Sequence, residues 1–415
     1  MRFSISRMIA VALSLSGVGL LAQRPSAEPE KLQTPVGTTE IGLLAGAQYR
    51  IDIPNDWNHS LIVYYHGYAT QGVQFHAAEK LGPRQQPFFQ RHYAIVQSAY
   101  SQGGWAVQQA YPETEALRKY FVKTYGIPRE TFVAGDSMGG ALTMITMELN
   151  PKPYNGALDL CGAVGPTFES FERRFAMRAA FDYYFPGLMG PLVPVPENYE
   201  ATQAVRDKIS EALKAHPDSA TELRELLGLH TDLGVADDIS YYTFVIGDLQ
   251  RRAGGNPFDN RNYLYSGTSN TSSQSDYALN DGVRRYAAET RAKDYLYAHY
   301  TPTGRLTKPM LALHTLYDPK VAPSSLALYD HIVQLAGFEQ NYVQQYVHRE
   351  GHCAFSQEEE GHAFDELLEW TRHGVRPLPG ALDPRPVGTA VVTSSGKPNV
   401  VVPPKDIKAG VPKKQ

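Results

Sequence analysis

Long apolar runs, cysteine and excess charge are all scarce in this chain, and each scarcity removes a class of function. The apolar stretch from Met8 to Ala22 falls short of the roughly 20 residues a membrane helix needs, which counts against a membrane anchor. With Arg2 and Arg7 before it and small residues at its end, that stretch reads as a signal peptide. Cleavage is expected after Ala22, or as second choice after Ala27, with an uncleaved anchor as the alternative. Export predicts a secreted or periplasmic protein with no stable membrane anchor after cleavage. A formal net charge of −4 provides no basic stripe for a phosphate backbone, so nucleic acid is not expected as a partner. Only two cysteines occur, and no metal-ligand spacing, so no metal is expected. In an exported chain, Cys161 and Cys353 pair as a disulfide, or else Cys161 is a buried small hydrophobe and Cys353 a free thiol. Internal repeats are absent.

What is present is the material of a core. Hydrophobic residues make up 42% of the 415 and charged residues 20%, a globular balance that only the two ends depart from. Strand-like runs at 48–53, 60–65 and 93–98 lead to a helical pattern over 114–124, where Leu117, Tyr120 and Phe121 recur at helical spacing. A strand at 131–134, a helix at 140–149 and a strand at 156–164 follow. Later come a strand at 309–315, a helix at 324–336 and a strand at 342–347. Short, almost continuously apolar strands alternating with helices indicate an α/β protein with a mostly parallel sheet covered on both faces. Between 166 and 305 the alternation gives way to amphipathic stretches such as 201–215 and 282–300 and a polar loop around 267–275. The expected division is therefore a signal peptide (1–22), a leader without an element of its own (23–36), core segments at 37–165 and 306–375, a helical cap inserted at 166–305, and a Pro-rich mobile tail (376–415).

The sharpest motif is Gly135-Asp136-Ser137-Met138-Gly139, a G-x-S-x-G sequence with an apolar strand before it and a helix after it. A serine exposed at so tight a turn needs small neighbours, which is the mechanical role expected of Gly135 and Gly139. A serine hydroxyl is a weak nucleophile at neutral pH, so a base must lie within reach and a third group must fix the tautomer of that base. Groups at the carboxyl ends of later strands are favoured, because open α/β sheets bind ligands there. Asp318 and His352 meet this condition, in the chain order Ser, Asp, His. Among the thirteen histidines His348 is the nearest rival, and for the acid Asp159 is. Both fall at the end of a strand or within one rather than beyond it. The oxyanion donors expected are the backbone N–H groups of Met138 and Tyr68, with Gly67 in reserve and His66 as a structural residue of that turn.

The set His66-Gly67, Gly135 to Gly140, Asp318 and Gly351-His352 resembles an α/β-hydrolase over 48–372. Segments 300–306 and 351–355 are further similar to secreted bacterial serine hydrolases of the prolyl-oligopeptidase-like and feruloyl-esterase-like branches. The resemblance implies an α/β-hydrolase fold, a cap over the active site and no cofactor. No propeller-sized domain precedes the core, which counts against the peptidase branch. The expected activity is hydrolysis of a small-molecule or oligomeric carboxylic ester, with amide hydrolysis as first rival and a non-catalytic binding protein of the same fold as second. The cap aromatics Phe168, Phe171, Tyr183, Tyr184, Phe185, Tyr241, Tyr242, Tyr263 and Tyr265 either line an acyl pocket or pack the cap onto the core. Arg251-Arg252 reads as a solvated face.

Overall fold

The computed structural model describes residues 28–268 and 274–382. The expected signal peptide and most of the expected tail lie outside them. Among the described residues no helix is long and apolar enough to cross a membrane.

Among the described residues ten strands form one sheet: β1 (Glu30–Thr34), β2 (Gly37–Leu44), β3 (Ala47–Pro54), β4 (Leu61–Tyr65), β5 (Ala94–Ser98), β6 (Thr131–Asp136), β7 (Gly156–Leu160), β8 (Met310–Tyr317), β9 (Tyr342–Glu350) and β10 (Gly380–Ala381). Their spatial order is β1-β2-β3-β5-β4-β6-β7-β8-β9-β10. The first three strands run antiparallel to their neighbours, and every pairing from β5–β4 to β9–β10 is parallel. Strands β4, β5 and β7 are buried at every position, which is why they read as unbroken apolar runs: helices cover both faces. One face packs against α2 (Val107–Tyr125) and α3 (Met138–Leu149), the other against α1 (Gln86–Phe89) and α11 (Gln357–His373). Between β7 and β8 the chain leaves the sheet to build α4 (Thr167–Tyr184), α5 (Gln203–Ala215), α6 (Pro217–Leu227), α7 (Asp232–Ala253), α8 (Gln274–Gly282) and α9 (Thr290–Ala298), then returns through β8, α10 (Ser324–Ala336) and β9. This is the α/β-hydrolase fold, with an inserted helical cap.

Several elements differ from the sequence reading. The expected leader, 23–36, is not bare: Glu30–Thr34 pairs with β2 along its whole length. Strand β1 is a polar, largely exposed edge strand, and β2 mixes Thr38, Thr39, Glu40 and Gly42 with its apolar residues, so neither shows the apolar run that marks a strand. Helix α2 begins seven residues before Thr114 and carries Pro112 inside it, which hid its first turns. The strand expected through Val164 ends at Leu160, because Cys161 turns the chain with φ +49°. Within the expected tail, Gly380–Ala381 adds a last parallel pairing to β9.

Candidate active site

Ser137 sits between the end of β6 and the first residue of α3 with φ +58° and ψ −115°, in the left-handed half of backbone space that side chains seldom adopt. Its N–H donates to the Leu160 carbonyl at 2.9 Å, and its own carbonyl accepts from Gly140, Ala141 and Ala163, so four backbone bonds hold the turn. The flanking glycines are obligatory. A Cβ on Gly135 would lie 2.4 Å from the Gly139 carbonyl oxygen, and one on Gly139 would lie 2.1 Å from that of Tyr65. The elbow therefore fits against β4 only as written.

The turn after β8 brings Asp318, and the loop after β9 brings His352, to this serine. His352 Nε2 lies 2.8 Å from Ser137 Oγ, and its Nδ1 lies 2.8 Å from Asp318 Oδ2. The other oxygen of Asp318 accepts the N–H groups of Lys320 (2.8 Å) and Val321 (3.0 Å). Burial alone would raise the Asp318 pKa. The His352 hydrogen bond and charge and the Val321 N–H outweigh it, so the carboxyl stays below its usual value and ionised at neutral pH. With Nδ1–H donated to a carboxylate, Nε2 is left as the acceptor facing the hydroxyl. Such a chain can take the serine proton as Oγ attacks a carbonyl and return it to a leaving group.

The loop bearing His352 is pinned from behind. Cys353 forms a disulfide with Cys161, Cα to Cα 5.3 Å, which joins the end of β7 to the residue next to the imidazole. Arg84 donates to the Cys353 carbonyl and to Glu360 of α11. Helix α11 itself starts with a capping box, Ser356 Oγ accepting from Glu359 N–H while Glu359 accepts from Ser356 N–H. His314, missed by the sequence reading, is buried beneath Asp318 with Nε2 3.8 Å from Oδ2; burial pushes its pKa down, so it stands there neutral.

The rivals lie elsewhere. His348 is exposed on β9, edge-on to Tyr346, and Asp159 is wholly buried in the middle of the sheet. His66 gives its Nδ1 to the Gly67 carbonyl at 2.7 Å and stacks on Tyr100. Gly67 packs against the elbow, where an added Cβ would meet Ser137 Cβ at 3.3 Å, and Tyr68 sits beside it. Met138 is the first residue of α3, where helical N–H groups have no partner within the helix.

A cavity of about 300 Å³ opens above Ser137 and His352, with Gly67 and Tyr68 on the core side and Phe171, Tyr241 and Tyr242 of the cap opposite. Most of the other cap aromatics pack instead: Phe168 stacks on Tyr297, Phe185 on Phe181, and Tyr263 tilts against Tyr265. Trp105, from the loop before α2, adds an apolar wall that no motif in the chain marks. Lys320 and Arg174 also reach the cavity, each already neutralised by a cap carboxylate, Asp237 at 2.6 Å and Asp238 at 2.7 Å. Arg252, expected to face solvent, is instead folded inward onto Asp248 and the Gly103 carbonyl.

No protein-family model and no curated protein matches the chain. Among solved structures it is similar to feruloyl esterase B from Aspergillus oryzae, with a TM-score of 0.44 and 13% identity over 82% of this chain and 81% of that one. It is similar also to a puromycin hydrolase (TM-score 0.39, 16% identity, 83% of this chain and 39% of that one). A third is the acylaminoacyl peptidase of Pyrococcus horikoshii (TM-score 0.42, 11% identity, 83% and 41%). The chain thus spans about two fifths of the length of the latter two.

Proposed function

We propose that this protein is a serine hydrolase that transfers the acyl group of a carboxylic ester to water, with Ser137 as nucleophile, His352 as general base and acid, and Asp318 as the group that orients the imidazole. The observation that carries the reading is the unbroken relay of two 2.8 Å contacts from Asp318 through His352 to a serine on a strained strand-to-helix turn. Oγ attacks the ester carbonyl as its proton passes to Nε2. The tetrahedral oxyanion takes hydrogen bonds from the Met138 and Tyr68 N–H groups. His352 then protonates the departing alcohol, and water, deprotonated by the same nitrogen, releases the acid and restores Ser137. Met138 N–H is suited to its part by standing at the start of α3, where the helix dipole adds to the donor. Phe171, Tyr241 and Tyr242 give the cavity a face on which an apolar or aromatic acyl group can pack. The Cys161–Cys353 disulfide supports work in an oxidising compartment, in keeping with export by a segment ending at Ala22. A fluorophosphonate should label Ser137 stoichiometrically, and short soluble esters should be turned over faster than peptides. No label on Ser137 would overturn the assignment, and faster cleavage of peptides would move the substrate from ester to amide.

A further inference from the structure

The long cap helix α7 reaches across the cavity and grips the core beside the elbow. Its Asp248, 8% exposed, accepts the Trp105 N–H at 2.7 Å and, through both oxygens, the Arg252 Nε at 3.0 and 3.1 Å. The Tyr68 hydroxyl points at the same carboxylate from 3.5 Å, and its ring stands edge-on to Tyr241 of α7. Arg252 continues into the core, donating to the Gly103 carbonyl and lying 3.3 Å from Gln102 Oε1. Gly104 lies between these contacts with φ +79°, and its N–H donates to the Ala69 carbonyl at 2.6 Å, an isolated antiparallel bridge. A Cβ at Gly104 would come within 2.4 Å of Asp248, so only glycine admits the carboxylate. The loop of Tyr68 is thus tied through Ala69 to Gly104, and Gly104 to Trp105 is held by a carboxylate that belongs to the cap.

We infer that Asp248, held by Arg252, is a positioning residue: it fixes the 66–69 loop so that the Tyr68 N–H meets the developing oxyanion, and docking of the cap completes the site. The inference rests on the function proposed above. A buried charged acceptor on a backbone N–H is well suited to this, because such bonds are stronger than neutral ones and their loss leaves a buried donor without a partner. The Tyr68 N–H needs placement to within a fraction of an ångström, and a displacement of about 1 Å costs on the order of a hundredfold in rate. A merely structural staple would affect melting or substrate entry, but not the chemical step.

The test measures kcat and KM for a short activated ester, the rate of fluorophosphonate labelling, and thermal melting, all on the full chain. Asp248→Ala is expected to lower kcat and the labelling rate together, by roughly ten- to a hundredfold, because both pass through an oxyanion. Its KM should stay within about threefold and the acid limb of its pH profile should not move. Asp248→Asn keeps a carbonyl for Trp105 and should restore part of the rate. Should Asp248→Ala fail to fold, Asp248→Asn and Tyr68→Phe carry the same expectation of a loss confined to kcat. Arg224→Gln, which breaks the Arg224–Asp232 pair at the far end of α7, serves as the control and should leave kcat unchanged. Wild-type kcat in Asp248→Ala, a loss in KM alone, or an equal kcat loss in Arg224→Gln would overturn the inference while wild-type labelling of Ser137 still stood. A wild-type enzyme that takes no label would instead overturn the function on which it rests.

Discussion

The two walls of the cavity are built to different standards. The core wall is over-determined: Ser137 is held by four backbone bonds and two glycines, and His352 by Asp318, a disulfide and Arg84. The cap wall rests on discrete polar clamps, Arg174 on Asp238 and Asp248 on Trp105, set among the aromatic side chains of Tyr68, Tyr241 and Tyr242. The difference separates two tasks. Under the proposed function, the residues that would transfer a proton stand at sheet ends, where little displacement is tolerated, and the surface that would meet a substrate stands on the insertion.

The sharpest way to break this comparison is to remove chemistry from the core wall without disturbing its packing. Ser137→Ala is expected to abolish ester hydrolysis, and Asp318→Asn to lower kcat by about four orders of magnitude by leaving His352 in the wrong tautomer. Both variants should melt close to the wild type. Retained activity in Ser137→Ala would mean the chemistry lies elsewhere in the cavity. The pair Cys161→Ala/Cys353→Ala comes next, since the bond closes a loop spanning 192 residues. The chain-entropy model puts its stabilisation at about 5 kcal/mol, and engineered bonds often deliver less. Denaturant unfolding would read the loss. Activity should fall further than the folded fraction, because Cys353 adjoins His352; a parallel decline would make the bond a staple with no bearing on the imidazole.

On the cap side the largest effect expected is from Asp238→Ala, which leaves the buried Arg174 guanidinium beside Tyr242 without its counter-charge, held only by the Pro319 and Lys320 carbonyls. Removing one partner of a buried pair typically costs about 3–5 kcal/mol. If the cap is the looser wall, part of that loss should appear as proteolytic sensitivity between 166 and 305 with the sheet intact. One cooperative transition at lower temperature would show that cap and core unfold together and would erase the distinction.

How legible each wall was in the sequence follows the same division. The elbow is a local signal, five residues with strand before and helix after; Asp318 follows the apolar run of β8, and His352 follows β9, where Tyr342, Val343, Tyr346 and Val347 mark a strand despite the glutamines between them. The Cys161–Cys353 bond was reachable from the count of cysteines and their places at strand ends. By contrast, the cap clamps join residues far apart in the chain. Arg252 reads as a surface cation because Gly103 and Gln102, which bury it, lie about 150 residues earlier. Trp105 and Asp248 carry no motif at all. Strands β1 and β2 escaped for a different reason: β1 is a polar edge strand, and β2, though paired on both sides, sets Thr38, Thr39, Glu40 and Gly42 among its apolar residues, so neither shows an apolar run or clean alternation.

The smallest effect expected concerns a group inside the core wall that the proposed chemistry does not use. Asp159 lies in β7 beneath the elbow, where Gly140 and Gly162 close over its carboxyl. Burial pushes its pKa up to about 8, with the Gly162 backbone offsetting only part of the rise. In the unfolded chain the same carboxyl loses its proton near its ordinary value of 3.8. Between these two values the folded state holds a proton that the unfolded state has released, so the stability owed to this group is full at acid pH and declines as pH rises toward 8. From pH 7 to pH 8 the loss should be roughly 1 kcal/mol, short of the limiting 1.4 kcal/mol per unit because the folded carboxyl is itself part-ionised there. Glu360, raised to about 7 by burial despite Arg84, slopes the same way, so the wild-type curve alone does not isolate Asp159. Asp159→Asn does: denaturant midpoints at pH 7 and pH 8 should fall closer together in the variant than in the wild type. An unchanged interval would mean that Asp159 ionises without cost to the fold, and that the sheet beneath the elbow admits water where the core wall has been taken as closed.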